Sequence, residues 1–183
     1  MWIPWVIAGV VVLLIIWAIS VYNSLIKMRN NVEEGFSTMD VYLKKRYDLI
    51  PNLVETVKGY ATHERETLQK VIAARNAAMS ATDPEAKIEA ENALSGTLKT
   101  LFAVAEAYPD LKANQNFMDL QNQLKKIEED IANSRKYYNA VTKKYNTKIE
   151  VVPSNIIAGM FGFKRKPLFE IAVEERENVK VQF

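Results

Sequence analysis

From Trp2 to Tyr22 the chain carries no charged residue, and the only hydroxyl before the closing tyrosine is that of Ser20. At about 1.5 Å per residue a helix over this stretch spans about 30 Å, matching bilayer hydrocarbon. The chain is therefore expected to be a single-pass membrane protein anchored by residues 1–22. Trp2, Trp5 and Tyr22 lie near the two ends of the span, where amphipathic rings favour the headgroup interface, while Trp17 sits deeper. Pro4 falls in the first turn, where its missing N–H does no harm. A cleaved signal peptide is the competing reading, but no Lys or Arg precedes the apolar run and Ala18-Ile19-Ser20 is a weak cleavage site. Lys27, Arg29, Lys44, Lys45 and Arg46 all follow the span. Basic flanks tend to stay in the cytoplasm, which predicts a cell (inner) membrane protein with its N-terminus outside and the remainder cytoplasmic. Gly9 stands alone in the span, so the Gly-xxx-Gly pattern of close helix dimers is missing.

The remaining chain holds few turn formers, with six Gly and six Pro in 183 residues, and its apolar residues recur at helical spacing. Val32, Phe36, Met39, Leu43, Tyr47 and Ile50 mark a helix over about residues 24–46. Asp48 as a cap and Pro51 in a first turn predict a break near 47–48. The stripe nevertheless continues in phase through Val54, Val57, Ala61, Leu68 and Val71, so a kinked continuous helix is the alternative. A second helix is expected to reach Met79. Asp83-Pro84 starts a third, lined by Ala90, Leu94, Leu98, Leu101 and Ala105, and Tyr108-Pro109-Asp110 stops it. Asn116 and Asp119 resemble a capping pair for a fourth helix of about 30 residues, striped by Phe117, Leu120, Leu124, Ile127, Ile131, Tyr138, Val141 and Tyr145. Short connections make these an antiparallel up-and-down four-helix bundle over residues 23–150, an all-α architecture. In the C-terminal segment, 151–183, Pro153-Ser154 opens a short apolar helix from Asn155 to Phe161, followed by Gly162-Phe163, three basic residues and a tail, partly extended, beyond Pro167.

Few residues here suit catalysis. Lys and Arg number 24 against 22 Asp and Glu, too even a balance for the basic field that nucleic acid requires. Without cysteine there is no disulfide, thiolate, sulfur-ligated metal or lipid-modified thiol. His63, the one histidine, has no second histidine at zinc-hydrolase spacing, and the residue three before it is Tyr60 rather than the Glu of a di-iron pair. It reads as a partly exposed helix residue. Ser37, Ser95 and Ser134 lack a local base, and Gly159 and Gly162 lack the context of a phosphate loop. No enzyme activity, metal or cofactor is expected. Two surfaces stand out instead. Arg135, Tyr137, Tyr138, Asn139, Tyr145 and Asn146 form a candidate partner surface, against a reading in which the rings complete the core and their hydroxyls meet solvent. Ile156, Ile157, Met160, Phe161 and Phe163, with Lys164, Arg165 and Lys166, form a candidate membrane-surface contact, against a core plug with a basic rim.

Several blocks of sequence resemble those of the LemA family of bacterial membrane proteins: Tyr47-Asp48-Leu49-Ile50-Pro51-Asn52-Leu53-Val54, Tyr60-Ala61-Thr62-His63-Glu64, the run from Glu106 through Tyr108-Pro109-Asp110 to Asn114, Arg135-Lys136-Tyr137-Tyr138-Asn139, and Val152-Pro153-Ser154 with Gly162-Phe163. The resemblance implies an N-terminal membrane helix and a soluble four-helix bundle, with no established activity or cofactor. It implies two roles, since some relatives shape an intracellular membrane and others are encoded near membrane metalloproteases. The leading expectation is a scaffold that self-associates and organises membrane lipid, because Leu53, Phe102 and Val104 lie off the main stripes and need a second surface. The alternative is an adaptor or regulator of a membrane protein partner such as a protease. An enzyme using His63 is the remote third.

Overall fold

The computed structural model describes residues 2–169, and every regular element among them is a helix. Four are long: α1 (Ile3–Lys58), α2 (Arg65–Ser80), α3 (Pro84–Ala105) and α5 (Gln115–Glu150), with α4 (Pro109–Lys112) and α6 (Ser154–Met160) forming short pieces between and after them. The tail beyond Phe169, expected to be partly extended, lies outside the described residues.

The predicted break at 47–48 does not occur; α1 is one helix of 56 residues that passes through Pro51. Proline inside a helix leaves the carbonyl four residues earlier without its donor. That carbonyl belongs to Tyr47, and Arg75 Nε on α2 donates to it at 2.7 Å. A tertiary contact thus supplies what the local sequence removes, and the in-phase stripe continues. The helix ends instead at Lys58, before Gly59, and the Tyr60 and Ala61 amides both bond to the Val57 carbonyl. Hence the second helix begins at Arg65, and His63 stands in the exposed turn before it rather than on a helix.

Other boundaries follow local chemistry. The Asp83 side chain accepts from the Glu85 and Ala86 amides, capping α3 as its sequence predicts. α5 is capped by Asn114, whose Oδ1 accepts from the Phe117 amide, two residues before the expected cap; Asp119 instead receives the Gln115 side-chain amide.

Packing groups the residues into two compact units, and both α1 and α5 contribute to each. One unit comprises residues 39–133 with Phe169. Its core is built from Leu43, Ile50, Leu53 and Val57 of α1, Leu68 and Val71 of α2, Leu94 and Leu101 of α3, Leu111 of α4, and Phe117 and Leu124 of α5. Leu53 is therefore filled from within, and Phe102 packs its ring on Phe117 at 6.4 Å. Leu53 therefore needs no partner surface, contrary to expectation; Phe102 and Val104 are half-buried.

The other unit comprises residues 2–38 and 134–168. Val21 and Leu25 of α1 pack with Ile157 and Ala158 of α6, flanked by Ala18, Tyr22, Ile149 and Phe163. Before Ala18 every described residue of α1 is exposed, and the apolar stretch is long and hydrophobic enough to cross a bilayer.

Candidate functional site

A buried cluster of charge occupies the unit formed by 39–133. Arg46, one of the basic residues that follow the span, is fully buried, as is Glu91 of α3. Arg46 Nη2 pairs with one Glu91 oxygen, and the Tyr47 hydroxyl donates to the other. The second guanidinium nitrogen, Nη1, donates to Glu128 Oε1 at 2.8 Å and to Ser95 Oγ at 3.1 Å. Lys87 Nζ closes the cluster, 3.6 Å from Asp40 and 5.3 Å from the Tyr47 ring centre. Burial and the Glu91 carboxylate together push the Tyr47 hydroxyl well above the usual tyrosine range, the nearby Arg46 opposing them only in part. Both Glu91 oxygens are occupied, so the cluster ties α1, α3 and α5 together. Sequence reasoning missed it because Lys44-Lys45-Arg46 reads as a solvated run. The signal was Arg46 beside Tyr47 on the apolar stripe, with Glu91 preceding Leu94 by three residues on that of α3.

The tyrosine face of α5 is turned largely inward. Tyr138, Tyr145 and Asn146 are buried, which corrects their assignment to a surface. They hold the returning chain: the Tyr138 hydroxyl donates to the Pro167 carbonyl at 2.8 Å, and Tyr145 to that of Lys164 at 3.0 Å. Asn146 makes a paired contact, donating to the Lys166 carbonyl at 2.8 Å and accepting from the Lys166 amide at 2.9 Å. The rings complete the core, and their hydroxyls bond to backbone carbonyls. Burial raises the pKa of both tyrosines. Tyr137 remains exposed, Arg135 and Asn139 are half-buried, and Phe36 meets the Tyr138 ring edge-on at 5.9 Å.

Beyond α5, the Ser154 hydroxyl bonds to the Lys148 and Val151 carbonyls and fixes the turn into α6. α6 is divided by burial. Ile157 faces α1, whereas Ile156, Met160 and Phe161 are exposed. Gly162 takes φ +69°, a left-handed conformation that favours glycine, and turns the chain back along α5. Phe163 lies between the Tyr22 ring, at 5.9 Å, and the Arg29 guanidinium, at 5.8 Å. Lys164 and Arg165 are exposed, Arg165 pairing with Glu150 at 3.0 Å, and Lys166 is half-buried. Lys27 is exposed next to the span.

Grooves also lie in the 39–133 unit. One, of about 690 Å³, lies along α1 and α2 beside Val54, Lys58, Arg65 and Ile72. The second, of about 610 Å³, lies along α3 and α5 beside Ser95, Phe102, Lys125 and Glu128. His63 lines neither, and no group of three or more metal-ligating side chains occurs among the described residues.

The blocks of family resemblance coincide with structural joints: Tyr47 and Pro51 with the Arg75 contact, Tyr60 to Glu64 with the α1–α2 turn, Tyr108 and Asn114 with bonds to Glu64 and Tyr60 respectively, and Val152-Pro153-Ser154 with the turn into α6. The LemA family model matches residues 35–183. The chain belongs to the LemA family. It is 23% identical to Protein LemA of Metamycoplasma hominis over 86% of this chain and 72% of that one. Similarity at 24% identity extends to Magnetosome protein MamQ 2 of Paramagnetospirillum magneticum, and at 22% to Magnetosome protein MamQ of Magnetospirillum gryphiswaldense. In both cases 81% of this chain aligns, spanning 64% of the relative, less than two thirds of its length. This LemA protein is helical, and its N-terminal helix is long and apolar enough to cross a membrane.

Proposed function

We propose that this LemA protein is a non-enzymatic scaffold, held in the cell's inner membrane by residues 1–22, that self-associates and organises the lipid around it. Its N-terminus lies outside and its helical units in the cytoplasm, as the basic residues following the span favour. The observation that carries the reading is the unbroken passage of α1 from a lipid-length apolar stretch into packed helix, without a flexible linker. An anchor that shares its hydrogen-bond ladder with the packed part orients that part relative to the bilayer, as a scaffold requires. The interior polar groups support a structural role, since Arg46, Glu91, Tyr145 and Asn146 are engaged with neighbouring helices or with the chain's own backbone. Exposed Val41, Met79 and Met118 offer apolar points for self-contact. The test is imaging and mass measurement of the full-length protein in lipid vesicles. Closed or extended assemblies are the expected result, and a strictly monomeric protein across the micromolar range sinks the scaffold reading.

A second reading, an adaptor for another membrane protein, draws on Tyr137, the exposed tyrosine of the α5 cluster. A photo-crosslinker at Tyr137 that traps a different membrane protein in cells, and never a second copy, decides for the adaptor.

A further inference from the structure

From Ile156 to Met160 α6 is apolar on both of its sides. A helix that is apolar all round is ordinarily enclosed by other apolar material. One side of α6 meets that condition, with Ile157 and Ala158 against Val21 and Leu25 of α1. The other side does not: Ile156 is 57% exposed, Met160 73% and Phe161 58%, with Val151 and Val152 exposed beside them. The level of α6 along α1 is the informative point. It packs where the uncharged stretch ends, against Ala18, Val21, Tyr22 and Leu25, and the Phe161 ring lies 4.7 Å from that of Tyr22. If Trp2 to Tyr22 cross the hydrocarbon, the apolar medium adjoining α1 at that level is the bilayer itself.

We propose that the exposed side of α6, with Phe161, is a second membrane contact lying in the headgroup region of the leaflet from which α1 emerges, and that the adjoining basic residues make it favour anionic lipid. The proposal rests on the reading of α1 as a membrane anchor. Charge complementarity supports the choice of lipid as occupant: Lys27, Lys164 and Arg165 are exposed around the patch and Lys166 half-exposed, with Glu150 the acidic partner of Arg165. A short apolar element edged by cations is the composition that settles at an anionic interface. The clamp on residues 164–167 by Tyr138, Tyr145 and Asn146 then has a function, which is to hold the basic triplet beside α6.

The chain has no cysteine, so single labelling sites can be introduced without background. Full-length M160C and F161C, carrying nitroxide labels, are to be reconstituted in vesicles of phosphatidylcholine with and without phosphatidylglycerol. Their accessibility to oxygen and to a water-soluble nickel chelate is then compared with that of L13C in the span and S37C, about 22 Å further along α1 than Tyr22. The expected result is an oxygen-dominated reading at 13, a nickel-dominated one at 37, and at 160 and 161 a reading shifted from that at 37 toward that at 13. A lipid reading at 13 with an aqueous reading at 160 and 161 overturns the proposal and leaves the anchor standing. An aqueous reading at 13 overturns the anchor and the proposal together. Shielding of 160 and 161 from both reagents shows a protein covering the patch and also overturns it. In anionic vesicles, Lys164→Gln and Lys166→Gln should each weaken docking of the labelled site about fivefold, with no change in neutral vesicles. Equal docking in both lipids overturns the electrostatic half of the claim.

Discussion

Tyr47 shows how closely single residues determine this fold. Its carbonyl loses a helical donor to Pro51 and regains one from Arg75, so the two residues act as a unit. A buried carbonyl left unpaired costs about 1 to 3 kcal/mol, which is the loss expected in Arg75→Ala. In a Pro51→Ala background the helix supplies its own N–H, so the same change should cost less than half as much; additive losses in denaturant titration count against this account. One residue earlier, Arg46 and Glu91 form a buried pair, and removing Glu91 leaves Arg46 Nη2 and the Tyr47 hydroxyl without their acceptor. Glu91→Ala is expected to destabilise by about 3 to 5 kcal/mol, while the double change Arg46→Met with Glu91→Leu recovers most of the loss. The buried tyrosines add a pH dependence. Burial raises Tyr47, Tyr138 and Tyr145 above their unfolded value, so the folded state holds these protons more tightly. Their contribution is complete below about pH 10 and is lost as pH rises through the shifted values. Unfolding midpoints should therefore fall above that pH, and Tyr47→Phe should flatten the slope.

Among the elements, the described residues after α6, 161–169, form no helix or strand, and their placement depends on side chains of α5. Asn146 replaces backbone pairing by offering Lys166 both a donor and an acceptor. Asn146→Ala should leave the helix content of α5 intact but abolish hydrogen-exchange protection of the Lys166 amide; protection that persists would mean the tyrosines alone suffice. α3 depends on a simpler device, its Asp83 cap. Asp83→Ala is expected to cost about 1 kcal/mol in denaturant titration.

At the scale of the whole molecule, the proposed membrane anchor is a stretch whose described residues before Ala18 are all exposed. A charged residue at the centre of a spanning helix opposes insertion by about 2.5 to 3.5 kcal/mol. Leu13→Arg should therefore move a measurable share of the protein out of the fraction that resists alkaline extraction. An unchanged distribution would show that another part of the molecule dominates binding.

What could be read from the chain alone were the features with local causes. The uncharged run sets the anchor, the apolar period sets the helices, and Asp83-Pro84 sets the start of α3, because each acts over a few residues or along one helix face. The sequence also carried the family, in blocks of residues that prove to be joints. Tertiary structure decided the rest. Whether Pro51 ends a helix depends on Arg75, 24 positions away; whether Arg46 is solvated depends on Glu91; and whether Tyr138, Tyr145 and Asn146 face outward depends on where residues 164–167 return. Polar groups follow their partners, and these partners lie far off in sequence. Apolar periodicity needs only a neighbouring surface, so it was legible first.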